Sequence, residues 1–136
     1  MPGHWSKYYF RKKKTSATGV VAGWGSTSSS SNTKPENLIY AHVNHVQRNA
    51  CREKYAEFVK DVPGDVYITD NVICAGDREA DACSGDSGSP LLWVDDQSRW
   101  SVAGIVSFGP SVCGQDVPGA YTRVESYLQW VKDVMA

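Results

Sequence analysis

Short apolar segments, each long enough for one β-strand, recur along this chain and are separated by clusters of glycine, proline, serine, asparagine and aspartate. The segments lie at residues 18–25, 38–46, 66–68, 72–75, 90–94, 100–108 and 119–124. Segments of this length with turn residues between them are typical of antiparallel sheets rather than of helical bundles. Many short strands with turn signals between them predict a small all-β, antiparallel barrel.

Two other segments carry a helical period. Residues 50–59 place Cys51, Tyr55 and Phe58 at helical intervals with charged residues between them, which predicts a short amphipathic helix in the middle of the chain. From Glu125 to the end of the chain, apolar side chains recur every three or four residues, which predicts a second, C-terminal helix.

Length and charge narrow the class of protein further. With 136 residues the chain fits one domain, and 14 basic against 15 acidic residues give a net charge of −1. A charge this close to zero argues against general affinity for nucleic acid or for anionic membranes. No run of about 18 apolar residues is present, so we expect no membrane partner. Residues 1–15 are polar and basic, and we expect them to be poorly ordered.

The four cysteines favour disulfides over a metal. An even number of four allows three pairings, and spacing alone does not choose between them. No Cys-x-x-Cys pair is present, and the histidines stand at no zinc-like spacing from the cysteines, so we expect no metal and no other cofactor. Disulfides imply an oxidising compartment, yet the chain begins without an apolar secretory signal. We therefore expect that the front of a longer, secreted protein is absent here.

One segment carries the chemistry: residues 81–90, with the sequence DACSGDSGSP. A loop rich in glycine, serine and aspartate is by itself more often an ordinary turn than an active site. However, a serine flanked by small residues sits where the backbone can turn sharply and where a substrate carbonyl can approach closely. Successive backbone N–H groups in such a turn can converge on a developing oxyanion, and Gly85 and Ser87 are suitably placed.

With its surroundings, this segment resembles the trypsin/chymotrypsin-like serine endopeptidases, specifically the C-terminal half of that family. The resemblance extends over roughly residues 16–136 and rests on residues 22–25, 72–76, 85–90, 104–109, 118–124 and 127–131, in matching order. It implies that residues 16–136 form a single antiparallel six-stranded β-barrel, one half of a double barrel, with a short mid-chain helix and a C-terminal α-helix.

The resemblance also assigns roles to individual residues. Ser87 would be the catalytic nucleophile, with the N–H groups of Gly85 and Ser87 as the oxyanion hole. Asp86 would be the carboxylate that pairs with a new N-terminal amine when the zymogen is cleaved. Asp81 would lie at the base of the specificity pocket and select Arg or Lys before the cut, since an unpaired buried charge is unfavourable. Other substrate-binding positions would be Ala82, Ser84, Ser107, Phe108, Gly109 and Gly119.

Within these assignments, Ala82 replaces the serine found in many trypsins, which favours Arg over Lys because the guanidinium can pair bidentately with a carboxylate. Residues 107–109 would pair with the substrate backbone as an added strand. The implied disulfides are Cys51–Cys74 and Cys83–Cys113. Ser89 departs from the Gly-Gly-Pro ending of the family motif, and we expect strain at Ser89 if that position needs a positive φ.

The family's general base and its orienting aspartate belong to an N-terminal barrel, and we find no matching segment in the chain. We do not assign the base to His4, His42 or His45. The resemblance therefore implies a secreted serine endopeptidase cleaving after Arg or Lys, present here as a truncated chain that is inactive without its missing barrel. The alternative is a non-catalytic binding or regulatory module, although an intact Asp81 and Ser87 argue against it.

Overall fold

The computed structural model describes residues 18–30, 33–61, 66–95 and 97–136. The segment 1–15, expected to be poorly ordered, lies outside these residues. Six strands and two α-helices follow in chain order, with a 3₁₀ turn after α1 and another before α2: β1 Thr18–Gly23, β2 Ile39–Val46, α1 Arg48–Phe58, 3₁₀ Val59–Asp61, β3 Val72–Ala75, β4 Pro90–Val94, β5 Trp100–Phe108, β6 Gly119–Arg123, 3₁₀ Val124–Tyr127 and α2 Leu128–Met135.

The six strands close into one barrel in the order β1-β2-β3-β6-β5-β4, and every neighbouring pair is antiparallel. The predicted all-β, six-stranded barrel with a mid-chain helix and a C-terminal helix is therefore confirmed. Closure follows from the alternating pattern of the strands: one side of each strand points into a shared interior, which is filled by Val21, Val43, Ile73, Ala75, Leu91, Ala103 and Tyr121.

A second apolar cluster fixes α1 to the outside of the barrel. Cys51 and Tyr55 are the buried residues of this helix, and they pack with Ile68, Cys74 and Ala120. A disulfide joins Cys51 to Cys74, so the helix is tied covalently to β3. The second disulfide joins Cys83 to Cys113, and both pairings are the ones that the resemblance implies.

Two details of the expected secondary structure are wrong. Residues 66–68 form no strand: Ile68 is buried in the α1 cluster, and its carbonyl oxygen accepts a hydrogen bond from Nε of Arg52 at 2.8 Å. Because the barrel is closed, it offers this segment no strand edge to pair with. The C-terminal helix begins as a 3₁₀ turn at Val124 and becomes α-helical only at Leu128.

Candidate active site

The loop between β3 and β4 is held in shape by hydrogen bonds around Asp86. Its carboxylate accepts the N–H of Gly25 at 2.8 Å and the N–H of Cys83 at 3.0 Å. Its backbone N–H donates to the carbonyl of Cys83 at 3.0 Å, and its carbonyl accepts the N–H of Ser89 at 2.9 Å. Since both carboxylate oxygens bind backbone donors, Asp86 fixes the loop and the end of β1 as one unit.

Two glycines let the chain make this turn. Gly85 has a φ of +96° and Gly88 has a φ of +83°, a region that side chains with a Cβ rarely adopt. Ser87 lies between these positions and is exposed to solvent. The N–H groups of Gly85 and Ser87 donate no hydrogen bond within the described part of the chain. Both donors are therefore available to an anion beside the Ser87 hydroxyl.

A cavity of about 210 Å³ opens next to Ser87. Ala82, Ser84, Ser107, Phe108, Gly109 and Gly119 all lie on its wall, together with Ser87 and further residues that include Pro110 and Tyr121. The barrel thus brings together the predicted substrate-binding positions from the loop, from the end of β5 and from the start of β6. These segments are far apart in sequence.

Asp81 lies behind this wall rather than on it. Its Oδ1 is 3.1 Å from the place that a Cβ on Gly119 would occupy, so a side chain at Gly119 would press against this carboxylate. Oδ1 of Asp81 is buried and has no hydrogen-bond partner among the residues that the structure describes, and the same holds for the hydroxyl of Tyr121. Oδ2 accepts the N–H of Gly114 at 3.3 Å. Both residues lie close to Gly119, since a Cβ there would be 3.1 Å from Oδ1 of Asp81 and 3.3 Å from Cε2 of Tyr121.

Burial is the main influence on the Asp81 carboxyl and raises its pKa to about 6. Hydrogen bonds from the N–H groups of Gly114 and Ala82 oppose this shift, whereas the carboxylates of Asp77 and Asp86 add to it. A carboxylate that loses this much solvation is strongly stabilised by a cation placed beside its free oxygen.

Asp86 faces a different, larger cavity of about 460 Å³ that it shares with Asp81, Gly23 and Gly25. A Cβ on Gly25 would lie 2.4 Å from Cγ of Asp86, and one on Gly23 would lie 2.1 Å from its Oδ1. Side chains at these two positions would therefore displace the carboxylate. Both acidic residues, Asp81 and Asp86, line this second cavity, and neither lines the cavity beside Ser87.

The end of β5 keeps one side open for pairing. β5 runs to Phe108, but its ladder with β4 begins at the pair Pro90–Ile105, whereas its ladder with β6 extends to Phe108–Ala120. Ser107 and Phe108 therefore extend beyond the strand that covers the rest of β5. An extended peptide could add to this edge next to the cavity.

Ser89 carries no left-handed backbone strain, because the condition for it, a positive φ at position 89, is not met. Ser98, in the turn before β5, is the non-glycine residue with a positive φ in the part of the chain that the structure describes. The left-handed conformation falls on Gly88 instead. A serine at position 89 is therefore compatible with the loop.

The two described histidines are engaged elsewhere on β2. The ring of His42 makes an edge contact with Tyr40, and that of His45 makes one with Trp93, each at 5.8 Å between centroids. Burial, followed by the charges of Arg123 and Arg48, lowers the pKa of His45. No hydrogen bond joins either ring to Ser87. His4 lies outside the described residues.

Sequence reasoning missed the contacts that support the site from a distance. Gly25 was noted only as part of a family landmark, yet its N–H anchors Asp86. Tyr55 of α1 donates its hydroxyl to the carbonyl of Pro118 at 2.7 Å and packs edge-on against Phe108 at 5.8 Å. No local spacing reveals the first contact. For the second, the helical interval between Cys51 and Tyr55 indicates only that Tyr55 lies on the buried side of α1.

We expect Tyr55→Phe to lower the free energy of unfolding by about 1–2 kcal/mol, because the buried carbonyl of Pro118 would lose its donor. Urea unfolding followed by tryptophan fluorescence measures the change. Tyr127→Phe is the matched control, since the Tyr127 side chain is 42% exposed and we expect less than about 0.5 kcal/mol there. Equal stabilities for the two variants would contradict the structural role of the Tyr55 hydroxyl.

Comparison with known proteins identifies the family. A family model described as Trypsin matches residues 5–131. The chain is 41% identical over 121 residues to Melanization protease 1 of Drosophila melanogaster and 37% identical over 117 residues to urokinase-type plasminogen activator of Gallus gallus. A solved structure of neuropsin, a serine protease expressed in the limbic system of mouse brain, is 34% identical with a TM-score of 0.73. The chain belongs to the trypsin family of serine proteases.

The chain is shorter than these relatives. The match covers 84% of this chain but 28% of Melanization protease 1, and 85% of this chain but 25% of the plasminogen activator. It covers 90% of this chain and 50% of the neuropsin chain. No helix among the described residues is long and apolar enough to cross a bilayer.

Proposed function

We propose that this chain is the part of a trypsin-like serine endopeptidase that supplies the nucleophile, the oxyanion hole and the specificity pocket. Ser87 attacks the carbonyl of the scissile bond, and the N–H groups of Gly85 and Ser87 stabilise the resulting oxyanion. Their lack of other hydrogen-bond partners supports this role. Asp86 holds the loop and, facing the cavity of about 460 Å³, receives the amine that zymogen cleavage releases.

The observation that carries the proposal is Oδ1 of Asp81, which is buried, has no partner among the described residues and lies next to Gly119, a residue on the wall of the cavity beside Ser87. Native structures seldom leave a buried polar atom without a partner, so this oxygen calls for a ligand with donors. A guanidinium or ammonium from the substrate would supply both the charge and the hydrogen bonds. Cleavage after Arg or Lys follows, with Arg preferred because Ala82 offers no hydroxyl to an ammonium.

In our proposal, this chain does not supply the general base that Ser87 needs for catalysis. His42 and His45 contact aromatic rings on β2, and a serine without a neighbouring base is a poor nucleophile at neutral pH. We propose that the base and its orienting aspartate come from an N-terminal barrel, which is the partner of this one, and that this chain alone is inactive. The two disulfides support an extracellular location, because such bonds persist in oxidising compartments.

The test uses the full-length protein that contains this chain, after zymogen cleavage, with fluorogenic peptides that differ only in carrying Arg, Lys or Phe before the cut. We expect kcat/KM for Arg to exceed that for Phe roughly 10²- to 10³-fold, the range for pairing a buried charge. The Arg peptide should exceed the Lys peptide by a smaller factor.

Preferential cleavage after Phe would contradict the role of Asp81. A phosphonate inhibitor that labels serine proteases provides the complementary measurement on the isolated chain, where we expect very slow labelling of Ser87. Rapid labelling of the isolated chain would show that a base lies within it. Binding of peptides by the full-length protein with no cleavage of any would favour a regulatory module.

A further inference from the structure

Lys34 extends over the oxyanion-hole glycine. A Cβ built on Gly85 would lie 3.4 Å from Cε and 3.6 Å from Nζ of Lys34, and 3.2 Å from Cα of Gly25. Lys34 itself is exposed to solvent. The loop before β2 therefore brings an ammonium group directly beside the loop that carries Ser87.

This ammonium has no acidic partner in the described part of the chain, where the ion pairs involve other basic residues. The nearby carboxylate of Asp86 lies on the inner side of Gly25 and already accepts the N–H groups of Gly25 and Cys83. The charge of Lys34 is thus left to interact with whatever binds at the site.

The position of Lys34 relative to the cavity decides which part of a substrate it would meet. The cavity of about 210 Å³ that we assign to the residue before the cut is lined by Ser84, Ser87 and the 106–111 segment, and neither Lys34 nor Gly25 lines it. The missing side chain of Gly85 would point toward Lys34 and Gly25. Lys34 therefore lies beside Gly85 but outside that cavity. With the residue before the cut in the cavity and the preceding residues paired with 107–109, the substrate residues left to lie beside Lys34 are those after the scissile bond.

We propose that Lys34 is a specificity-determining residue that favours Asp or Glu among the first two residues after the cut. This inference rests on the proposed function, since it needs Ser87 as the nucleophile. The ammonium attracts a substrate carboxylate and repels a basic side chain at the same place. Because Lys34 is exposed, the preference has the size of a surface ion pair, roughly two- to fivefold in kcat/KM.

The experiment again uses the full-length, activated protein. Two sets of quenched fluorescent peptides carry Arg before the cut and Glu, Gln or Lys after it, one set at the first residue after the cut and the other at the second. The ratio of kcat/KM values is measured for the wild type, Lys34→Gln and Lys34→Glu, in low and in high salt. Lys132→Gln, an exposed lysine on α2, is the matched control for the loss of one charge.

We expect the wild type to prefer the Glu peptide over the Lys peptide about fivefold, and high salt to reduce the ratio. Lys34→Gln should bring the ratio near one, Lys34→Glu should invert it, and Lys132→Gln should leave it unchanged. A ratio of one in the wild type, or the same ratio in Lys34→Glu, overturns the role of Lys34 if cleavage still depends on Ser87. Cleavage that persists unchanged in Ser87→Ala overturns the proposed function itself.

Discussion

Ser87→Ala is expected to reduce peptide cleavage by the full-length protein roughly 10⁴- to 10⁶-fold, the range seen when a serine protease loses a member of its triad. The reason is chemical: without the hydroxyl no acyl-enzyme forms, and only the oxyanion-hole donors and substrate binding remain. Because Ser87 is exposed and its side chain makes no hydrogen bond in the described part of the chain, the fold should be unaffected. Steady-state kcat/KM with an Arg peptide measures the loss.

Ser89→Ala is the matched control in the same loop. The Ser89 side chain lies near Gly23, 2.9 Å from the place of a Cβ on that glycine, and not on the wall of the cavity beside Ser87. We expect its cleavage rate to stay within a few-fold of the wild-type rate. A Ser87→Ala protein that keeps a tenth or more of the activity would remove Ser87 from the mechanism, whatever happens in the control.

The second large effect on cleavage is expected for Asp81→Asn. Removing the charge should lower kcat/KM for an Arg peptide roughly 10²- to 10³-fold, because the substrate cation would be desolvated without a counter-charge. Cleavage of a Phe peptide should change little, so the Arg to Phe ratio should fall by the same factor. Asp133→Asn, at an exposed position on α2, controls for the loss of one carboxylate. An unchanged ratio in Asp81→Asn would contradict the proposed specificity.

The pKa of Asp81 predicts that the Arg to Phe ratio of kcat/KM depends on pH. Burial raises the pKa of Asp81 from 3.8 to about 6, so the carboxyl becomes protonated as the pH falls below about 6. The Arg to Phe ratio of the wild type should therefore fall below pH 6, and the ratio of Asp81→Asn should not change with pH. Using the ratio removes the titration of the catalytic base, which affects both substrates equally. A wild-type ratio that is constant from pH 5 to pH 8 would contradict the shift.

Asp81→Asn should lower cleavage of the Arg peptide but raise the free energy of unfolding at neutral pH. Because the folded-state pKa of Asp81 lies above its unfolded value, folding favours the protonated form, and wild-type stability falls as the pH rises through about 6. Asparagine carries no charge at any pH. We therefore expect Asp81→Asn to resist urea better than the wild type at pH 7.5, with a smaller difference at pH 4.

Sequence patterns predicted the parts of the fold that depend on neighbouring residues. The apolar segments at 72–75, 90–94 and 100–108 became strands at those positions, since each has a hydrophobic side that a barrel interior can bury. The 66–68 segment shows the limit: its apolar side chains resemble a strand, but Ile68 is buried against α1 instead. Which surface covers an apolar segment is decided by the rest of the fold.

The candidate site likewise has a part that the local sequence predicts and a part that depends on distant residues. The 85–90 loop was recognisable because small residues around one serine are a local feature. The hydrogen bond from Gly25 to Asp86 spans 61 residues, and the position of Lys34 beside Gly85 depends on how a long loop folds back. Neither contact has a local period or spacing that would reveal it. The burial of Oδ1 in Asp81 likewise depends on atoms from several segments at once.

The terminal helix has a practical consequence for anyone who handles the isolated polypeptide. None of the residues in α2 is buried, and Trp130, Val134 and Met135 are 64%, 64% and 79% exposed. Apolar side chains that are this exposed to water favour self-association in concentrated solution. Self-association of folded molecules during purification, rather than a failure of the barrel to form, would then limit the protein concentration that can be reached.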